Sequence, residues 1–475
     1  MTSDRLLTLY HRLPSALQSA AATARGLALR SWRYGPDTDR LVAEALGRDD
    51  WSETRWEAWR AERLGALLHR AATRVPYYRE QWEARRRRGD ASPWDRLENW
   101  PVLHKEIVRK RPKVFVADDC DRRSLYAEHT SGTTGTPVHV WWSRETVRQW
   151  FALLEARVRQ WNGVSRRDRW AILGGQLVVP VARRRPPFGV WNAALRQLYL
   201  SSYHLSSEAV PAYLEAMREH GVAYLWGYAS SISALAHLTW KAGLPAPTLR
   251  VAISNAEPLD ASQRAEITRA FGCPVRDTYG MAEIVCGASE CDAGTLHLWP
   301  EVGVLEVLDD EGDLQVPVGR PGRLVATGLL NDAMPLIRYE LGDRVALGSA
   351  AVPCPCGRLL PRLASVEGRA DDVLVTPDGR RVGRLDPVFK ADLPVREAQI
   401  IQEQLDQLRV LIVPAAGFGD RHAQQISERL QQRMGAGVRV SVDTVERINR
   451  DAAGKFRAVV SRLERRPKTP PSSVA

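Results

Sequence analysis

The sequence has little cysteine, little lysine and no long apolar run. Its 475 residues hold 6 cysteines, too few to staple an extracellular scaffold but enough for one metal site. No stretch of about eighteen apolar residues occurs, so nothing reads as a membrane span. Arg5, His11, Arg12, Arg25 and Arg30 interrupt the opening segment, which lacks the apolar core and cleavage site of a secretory signal. Residues 6–28 read as a helix packed on the body, with peripheral contact to an anionic membrane as the alternative. The expected location is cytoplasmic. No internal repeat is evident.

The scarcity of lysine means that the net charge of +11 is an arginine excess, since lysine stands only at Lys105, Lys110, Lys113, Lys241, Lys390, Lys455 and Lys468. The basic clusters Arg85–Arg88, Arg183–Arg185 and Arg462–Lys468 are scattered and carry no interleaved aromatics or reading motif. They read as solvated faces, and nucleic acid is not an expected partner. With 44% hydrophobic and 26% charged residues, the balance is that of a globular protein with several domains.

Along the chain, residues 1–115 read as helical, with apolar positions at helical spacing across Trp51–Thr73. From Leu125 to about Glu367, short apolar runs end in Gly, Ser or Asn and precede helical patterns. Trp170–Leu173, Val222–Trp226 and Leu249–Ile253 are examples, and the alternation predicts a layered α/β domain. Turn signals crowd between Gly303 and Leu347, predicting a β-rich subdomain. A new pattern starts after Gly368, with a strand at Asp372–Thr376 and a Pro377-Asp378-Gly379 turn. The expected division is therefore a helical segment, 1–115; a core with its β-rich subdomain, 116–368; a small α+β domain, 369–464; and a disordered tail, 465–475.

The most informative stretch is Ser131-Gly132-Thr133-Thr134-Gly135-Thr136-Pro137. Glycines let a backbone approach phosphate closely, and hydroxyls with exposed N–H groups supply donors. No lysine follows Gly135, so this is not the ATPase loop, and in isolation it equally suits an ordinary surface turn. Further stretches follow it: Ser254-Asn255-Ala256-Glu257-Pro258, Tyr279-Gly280-Met281-Ala282-Glu283, Tyr339-Glu340-Leu341-Gly342-Asp343, Gly368-Arg369-Ala370-Asp371 and Gly454-Lys455. In this order they resemble the motifs of the adenylate-forming acyl ligases, over residues of about 125–460. Pro76-Tyr77-Tyr78-Arg79 and Cys354-Pro355-Cys356-Gly357 are similar to the phenylacetate–coenzyme A ligase branch, in particular its CapK-like, polysaccharide-cluster members.

The resemblance implies a large N-terminal α/β domain with a small mobile lid, and attack of a carboxylate on the α-phosphate of ATP. Positioning and charge neutralisation dominate such a step. Ser131, Gly132, Thr133, Thr134 and Gly135 would cradle phosphates, with Thr133 among the catalytic residues. Ala256, Glu257, Pro258, Tyr279 and Gly280 would border adenine. Asp343 would hold ribose, Glu283 would anchor Mg2+, and Lys455 would neutralise charge between the acyl group and the α-phosphate. Arg369 and Asp371 would form the hinge. Trp226, Gly227, Tyr228 and Ser230 would line the acid pocket, although aromatics at a strand end also serve as core. Ala282 replaces the threonine of the Tyr-Gly-x-Thr-Glu motif, and Leu374–Gly379 departs from the usual strand after the hinge.

Cysteine and histidine suit a closed tetrahedral Zn2+ site, with buried reduced cysteines as the alternative. Cys291, His297, Cys354 and Cys356 form the candidate set, with Cys286 in reserve, and the resemblance implies structural zinc there. The expected activity is ATP-dependent formation of an acyl-adenylate from a small carboxylic acid. Acyl transfer to coenzyme A or another thiol would follow. The alternatives are an amide ligase for polysaccharide or natural-product tailoring and a catalytically silent scaffold.

Overall fold

The computed structural model describes residues 3–130, 137–180, 182–259, 261–309, 312–367, 374–379, 381–382, 385–389, 393–446, 448 and 458–463. The expected tail, 465–475, lies outside them. Residues 133–136 aside, the chain divides into two compact units, one running to residue 369 and the other from residue 370.

Helices Ser3–His11 (α1), Ser15–Arg33 (α2), Thr38–Gly47 (α3), Glu53–Arg74 (α4) and Pro76–Arg87 (α5) open the larger unit. Local chemistry sets their ends. The Ser52 hydroxyl accepts from the Arg55 amide to cap α4, and Pro76 occupies the first turn of α5, where an N–H would have no helical partner. One face of α4 buries Trp56, Leu67, Leu68, Ala71 and Ala72. Tyr78 and Trp82 of α5 both pack edge-on against Trp100, with ring centroids 5.3 Å apart in each pair.

Strand Leu103–His104 (β1) runs straight into helix Lys105–Lys110 (α6). Strands Tyr126–His129 (β2) and His139–Trp142 (β3) pair as a hairpin that brackets residues 131–136, which are not described. Helix Arg144–Leu153 (α7) continues into π-helical turns, Leu154–Arg159, whose Arg157 and Arg159 are both buried.

Next come Trp170–Gly174 (β4), Gly189–Asn192 (β5), Gln197–Ser201 (β6), Val210–Glu219 (α8), Tyr224–Tyr228 (β7), Ala229–Lys241 (α9) and Val251–Asn255 (β8). Ala261–Phe271 (α10), Val275–Gly280 (β9), Gly287–Glu290 (β10) and Leu296–Leu298 (β11) complete an eight-stranded sheet of order β11-β10-β9-β8-β7-β4-β6-β5. Its centre is parallel, with β4 beside β6 and β7, β7 beside β8, and β8 beside β9. The buried run Tyr224–Trp226 has no polar alternation, as expected of a parallel strand covered on both faces.

The β-rich part follows with Gly303–Leu308 (β12), Gly322–Gly328 (β13), Tyr339–Leu347 (β14) and Leu363–Glu367 (β15). The order is β1-β14-β13-β12, with β15 also on β14. β1 joins β14 in parallel, setting Leu103 opposite Tyr339 and His104 opposite Glu340.

In the smaller unit, Leu374–Val375 (β16) pairs with Arg381–Val382 (β17). Val395–Gln404 (β18), Gln407–Pro414 (β19), Arg439–Thr444 (β20) and Val459–Ser461 (β21) form a sheet of order β20-β19-β18-β21. Helix Asp420–Met434 (α11) buries Ile426 and Leu430 in a core shared with Ile400, Val410 and Ile412. The mixed α/β class expected from the sequence is the one observed.

Candidate active site and metal centre

Open parallel sheets bind ligands outside the carboxyl ends of their strands. At that edge β7 ends on Tyr228, β8 leads into Ala256-Glu257-Pro258, and β9 leads into Met281-Ala282-Glu283. The chain bends sharply here. Ala256 and Ile284 have φ of 62° and 50°, a left-handed conformation that side-chain-bearing residues rarely adopt and that clusters at functional sites.

Hydrogen bonds hold these turns. The Ser254 hydroxyl donates to Asp277 Oδ1 at 3.0 Å, and the Thr278 hydroxyl donates to the Ser254 carbonyl at 2.7 Å. Burial, with Glu290 nearby, pushes the Asp277 carboxyl up to about 7. Glu257 Oε2 accepts from the Ser230 amide at 2.8 Å, in the first turn of α9.

Strand β14 supplies the opposite wall. Tyr279 donates its hydroxyl to Asp343 Oδ2 at 2.8 Å, tying the β9 motif to the β14 motif. Burial and the neighbouring charge of Asp343 push the Tyr279 phenol well up, so it is a neutral donor. The buried Tyr339 hydroxyl donates to Glu283 Oε1 at 2.9 Å, and Lys105 Nζ donates to the same oxygen at 3.0 Å. Glu340 takes hydrogen bonds from His104 Nδ1 at 2.7 Å and Arg323 Nη1 at 2.9 Å. Burial opposes its charged form, but these two partners outweigh it and lower the pKa. Glu283 is 3% exposed, and among the described residues Oε2 accepts no hydrogen bond, so a hard oxygen donor is left for a cation.

The structure thus brings together Ala256, Glu257, Pro258, Tyr279, Gly280, Glu283 and Asp343. Ser131, Gly132, Thr133, Thr134, Gly135, Arg369, Asp371 and Lys455 lie outside the described residues. Trp226 and Gly227 have packing roles. Trp226 sits in the core with the Arg159 guanidinium 4.9 Å from its ring centre. A Cβ on Gly227 would come within 2.2 Å of the Leu173 carbonyl on β4. Tyr228 and Ser230 stand at the ligand edge. Sequence reasoning missed Lys105 and gave Tyr339 no role. The only available signal for Lys105 was the scarcity of lysine itself.

Cys291, His297, Cys354 and Cys356 bring their ligand atoms within 4.8 Å of one another. The Sγ atoms of Cys291 and Cys354 are 3.8 Å apart, matching the edge of about 3.8 Å that follows from 2.3 Å Zn–S bonds in a tetrahedron. His297 Nε2 lies 3.4 Å from Cys356 Sγ, while Nδ1 lies 3.0 Å from the Leu360 carbonyl, which fixes the ring and frees Nε2 for metal. Burial opposes the Cys354 thiolate, but the Thr295 hydroxyl and the Cys356 backbone outweigh it and bring the thiol down to about 6. The donor set therefore fits zinc. Cys286 is not in it. That thiol is fully buried and pushed up by burial and by Asp343.

Trp56, Trp161 and Leu360 share a buried cluster with Cys291 and Cys354, and Trp51 and Trp59 pack against it. Beside it, the wholly buried Arg157 makes a two-pronged bond to Glu301 at 2.7 and 2.8 Å and donates Nε to Asp49 at 2.9 Å. Asp49 also accepts from Trp161 Nε1 at 2.8 Å, and Arg358 Nε lies 3.6 Å from it. Arg358 stacks on the Trp161 ring at 4.3 Å, linking the metal centre to the buried ion cluster.

The pattern of the AMP-binding enzyme family matches residues 65–331, and that of the CapK C-terminal domain matches residues 374–462. The chain is 24% identical over 370 residues to Protein CapK of Staphylococcus aureus, covering 77% of this chain and 80% of that one. It is 26% identical over 451 residues to the phenylacetate-coenzyme A ligase of Aromatoleum evansii, covering 88% and 96%. Among solved structures, 2-hydroxyisobutyryl-CoA ligase with 2-HIB-AMP and CoA in the thioesterification state is similar in fold. It shares 21% identity and a TM-score of 0.54, over 87% of this chain and 91% of that one.

Proposed function

Because the chain belongs to the AMP-binding enzyme family, we propose that it is an AMP-forming carboxylate ligase. On this reading a carboxylate oxygen attacks the α-phosphorus of ATP, the bond to the α,β-bridging oxygen breaks, and pyrophosphate leaves with the electron pair. A thiol, coenzyme A first among candidates, then attacks the acyl carbon of the adenylate and AMP departs. The observation that carries the reading is the convergence of the β8, β9 and β14 motifs at the carboxyl edge of the sheet, where Tyr279 bonds Asp343 and Tyr339 bonds Glu283.

In this site Asp343, fixed by the Tyr279 hydroxyl, accepts hydrogen bonds from ribose hydroxyls. The turn at Ala256–Pro258 borders the adenine. Tyr228 and Ser230 flank the acid at the end of β7. Glu283 would hold Mg2+, which offsets phosphate charge when bound. Lys455 would neutralise charge between the acyl group and the α-phosphate. Zn2+ on Cys291, His297, Cys354 and Cys356 is structural, since four protein ligands leave no open position. Dependence on ATP supports a cytoplasmic setting.

An amine acceptor, as in polysaccharide or natural-product tailoring, is the second reading. The features that favour it are the match to the CapK C-terminal domain and the departure of Leu374–Gly379 from the usual strand after the hinge. The test is exchange of labelled pyrophosphate into ATP across a panel of carboxylic acids, with Lys455→Ala as control. Exchange with one acid class, abolished by the substitution, is expected; no exchange with any acid would reject adenylation. Product on an added amine, without thioester, would select the second reading.

A further inference from the structure

The two-residue strand β1 buries Leu103 in the core and pairs with β14 in a specific parallel register. It sets Leu103 beside Tyr339, and so delivers the next residues, His104 and Lys105, to the same edge from which Tyr339 and Glu340 project. Lys105 opens α6 and is 23% exposed in its side chain, against 3% for Glu283. Its ammonium meets Glu283 Oε1 from one side while the Tyr339 hydroxyl meets the same atom from another. The pairing bridges 178 positions of sequence.

We propose that Lys105 is the resident counter-charge of Glu283, a positioning residue that occupies Oε1 and leaves Oε2 for a divalent cation carried in with nucleotide. The inference rests on the ligase reading above and deepens it. A buried carboxylate left without a cation is strongly unfavourable, so the free enzyme needs a partner for Glu283 before any metal arrives. An ammonium on a flexible stem supplies one. Its placement has opposite consequences for two ligands. It repels a bare divalent ion approaching Oε2, because like charges a few ångströms apart interact strongly at a partly buried site. It attracts the same ion when a triphosphate accompanies it, because the nucleotide complex is a net anion. Lys105 would thus bias the site against empty metal and towards the metal–nucleotide complex.

A residue that only shaped the site would, when replaced, weaken both ligands together. Charge selection predicts a crossing of signs. The probe is Mn2+ bound in the absence of nucleotide, followed by electron paramagnetic resonance, alongside calorimetric binding of Mg·ATP to the full-length chain. In Lys105→Met the bare Mn2+ should bind about tenfold more tightly and Mg·ATP about tenfold more weakly. Lys105→Gln, which keeps a donor for Oε1 without the charge, should follow the methionine variant, and Lys105→Arg should stay close to the parent. If Lys105→Met does not fold, the glutamine variant carries the comparison. Parallel weakening of both ligands, or no change in either, overturns the inference while leaving the ligase reading intact. A parent chain that binds neither Mn2+ nor Mg·ATP rejects both.

Discussion

The buried Arg157 offers the sharpest test of the physical account. Replacing it by methionine removes the two-pronged bond to Glu301 and the bond to Asp49 while roughly keeping side-chain volume. Glu301 is then left with Arg48, 3.8 Å away, and Asp49 with Trp161 and Arg358. Breaking a buried pair from one side costs about 3–5 kcal/mol, because the stranded charge keeps its desolvation penalty. With a urea slope of about 2–3 kcal/mol/M for a protein of this size, the first unfolding midpoint should fall by about 1–2 M. Tryptophan fluorescence is the natural readout, given 16 tryptophans and the position of Trp56 and Trp161 beside the cluster.

The sign of the pH dependence is also fixed. Burial, outweighing Arg157, already raises Asp49 above the ordinary carboxyl value. A carboxyl raised on folding stabilises most below its unfolded pKa, and that contribution fades as pH rises through the folded value. Losing the guanidinium raises Asp49 further, so the deficit of Arg157→Met should be larger at pH 8 than at pH 5. Arg157→Met/Glu301→Leu should recover part of the loss, because an apolar set replaces half of the stranded charge. A loss below about 1 kcal/mol, or a double variant weaker than the single one, would refute the reasoning.

Three further tests follow from other sites. Gly227→Ala should destabilise by about 1–3 kcal/mol, because its Cβ would meet the Leu173 carbonyl, whereas Gly65→Ala in the middle of α4, with nothing within 4 Å, should stabilise by about 1 kcal/mol in thermal melts. Asp277→Asn should gain stability over the parent as pH rises from about 4 through 7, the window in which the parent's raised carboxyl must ionise, and match it below; a constant difference across pH would count against the assignment. Metal analysis of purified protein should return zinc near one equivalent, and Cys354→Ser should lose both the metal and several degrees of melting temperature; a metal-free parent melting like the variant would rule the site out.

The sequence made legible what is local or carries a period. The apolar runs at Trp170–Leu173, Val222–Trp226 and Leu249–Ile253 became β4, β7 and β8, each shifted by up to two residues at its ends. Buried parallel strands advertise themselves through such runs, while their boundaries depend on turn geometry that no single residue sets. The Cys291, His297, Cys354 and Cys356 set could be assembled because sulfur and imidazole are rare and chemically specific. Arg157 could not. A buried arginine looks the same in sequence as a solvated one, and its partners stand 108 and 144 positions away. The arginine clusters misled in the same way: Arg85 lies over the Trp82 ring at 4.2 Å and bonds Asp90, so it packs and bridges as well as facing solvent.

Glu283 shows where the two kinds of information meet. Its place after Tyr279-Gly280 makes it a candidate in the sequence, but its environment comes from two other segments, of which only the one at Tyr339 carries a motif. One is the first residue of α6 and the other the first residue of β14, and a strand of two residues aligns them. The partners of Glu283 are recruited from distant chain, Tyr339 from within a motif and Lys105 through the register of β1 on β14. Residues that neighbour such a site can thus lie outside every motif, as Lys105 does. In this chain they can be found by asking which partner each buried charge has: for Glu283 the answer is Lys105, one of seven lysines in a protein that otherwise uses arginine.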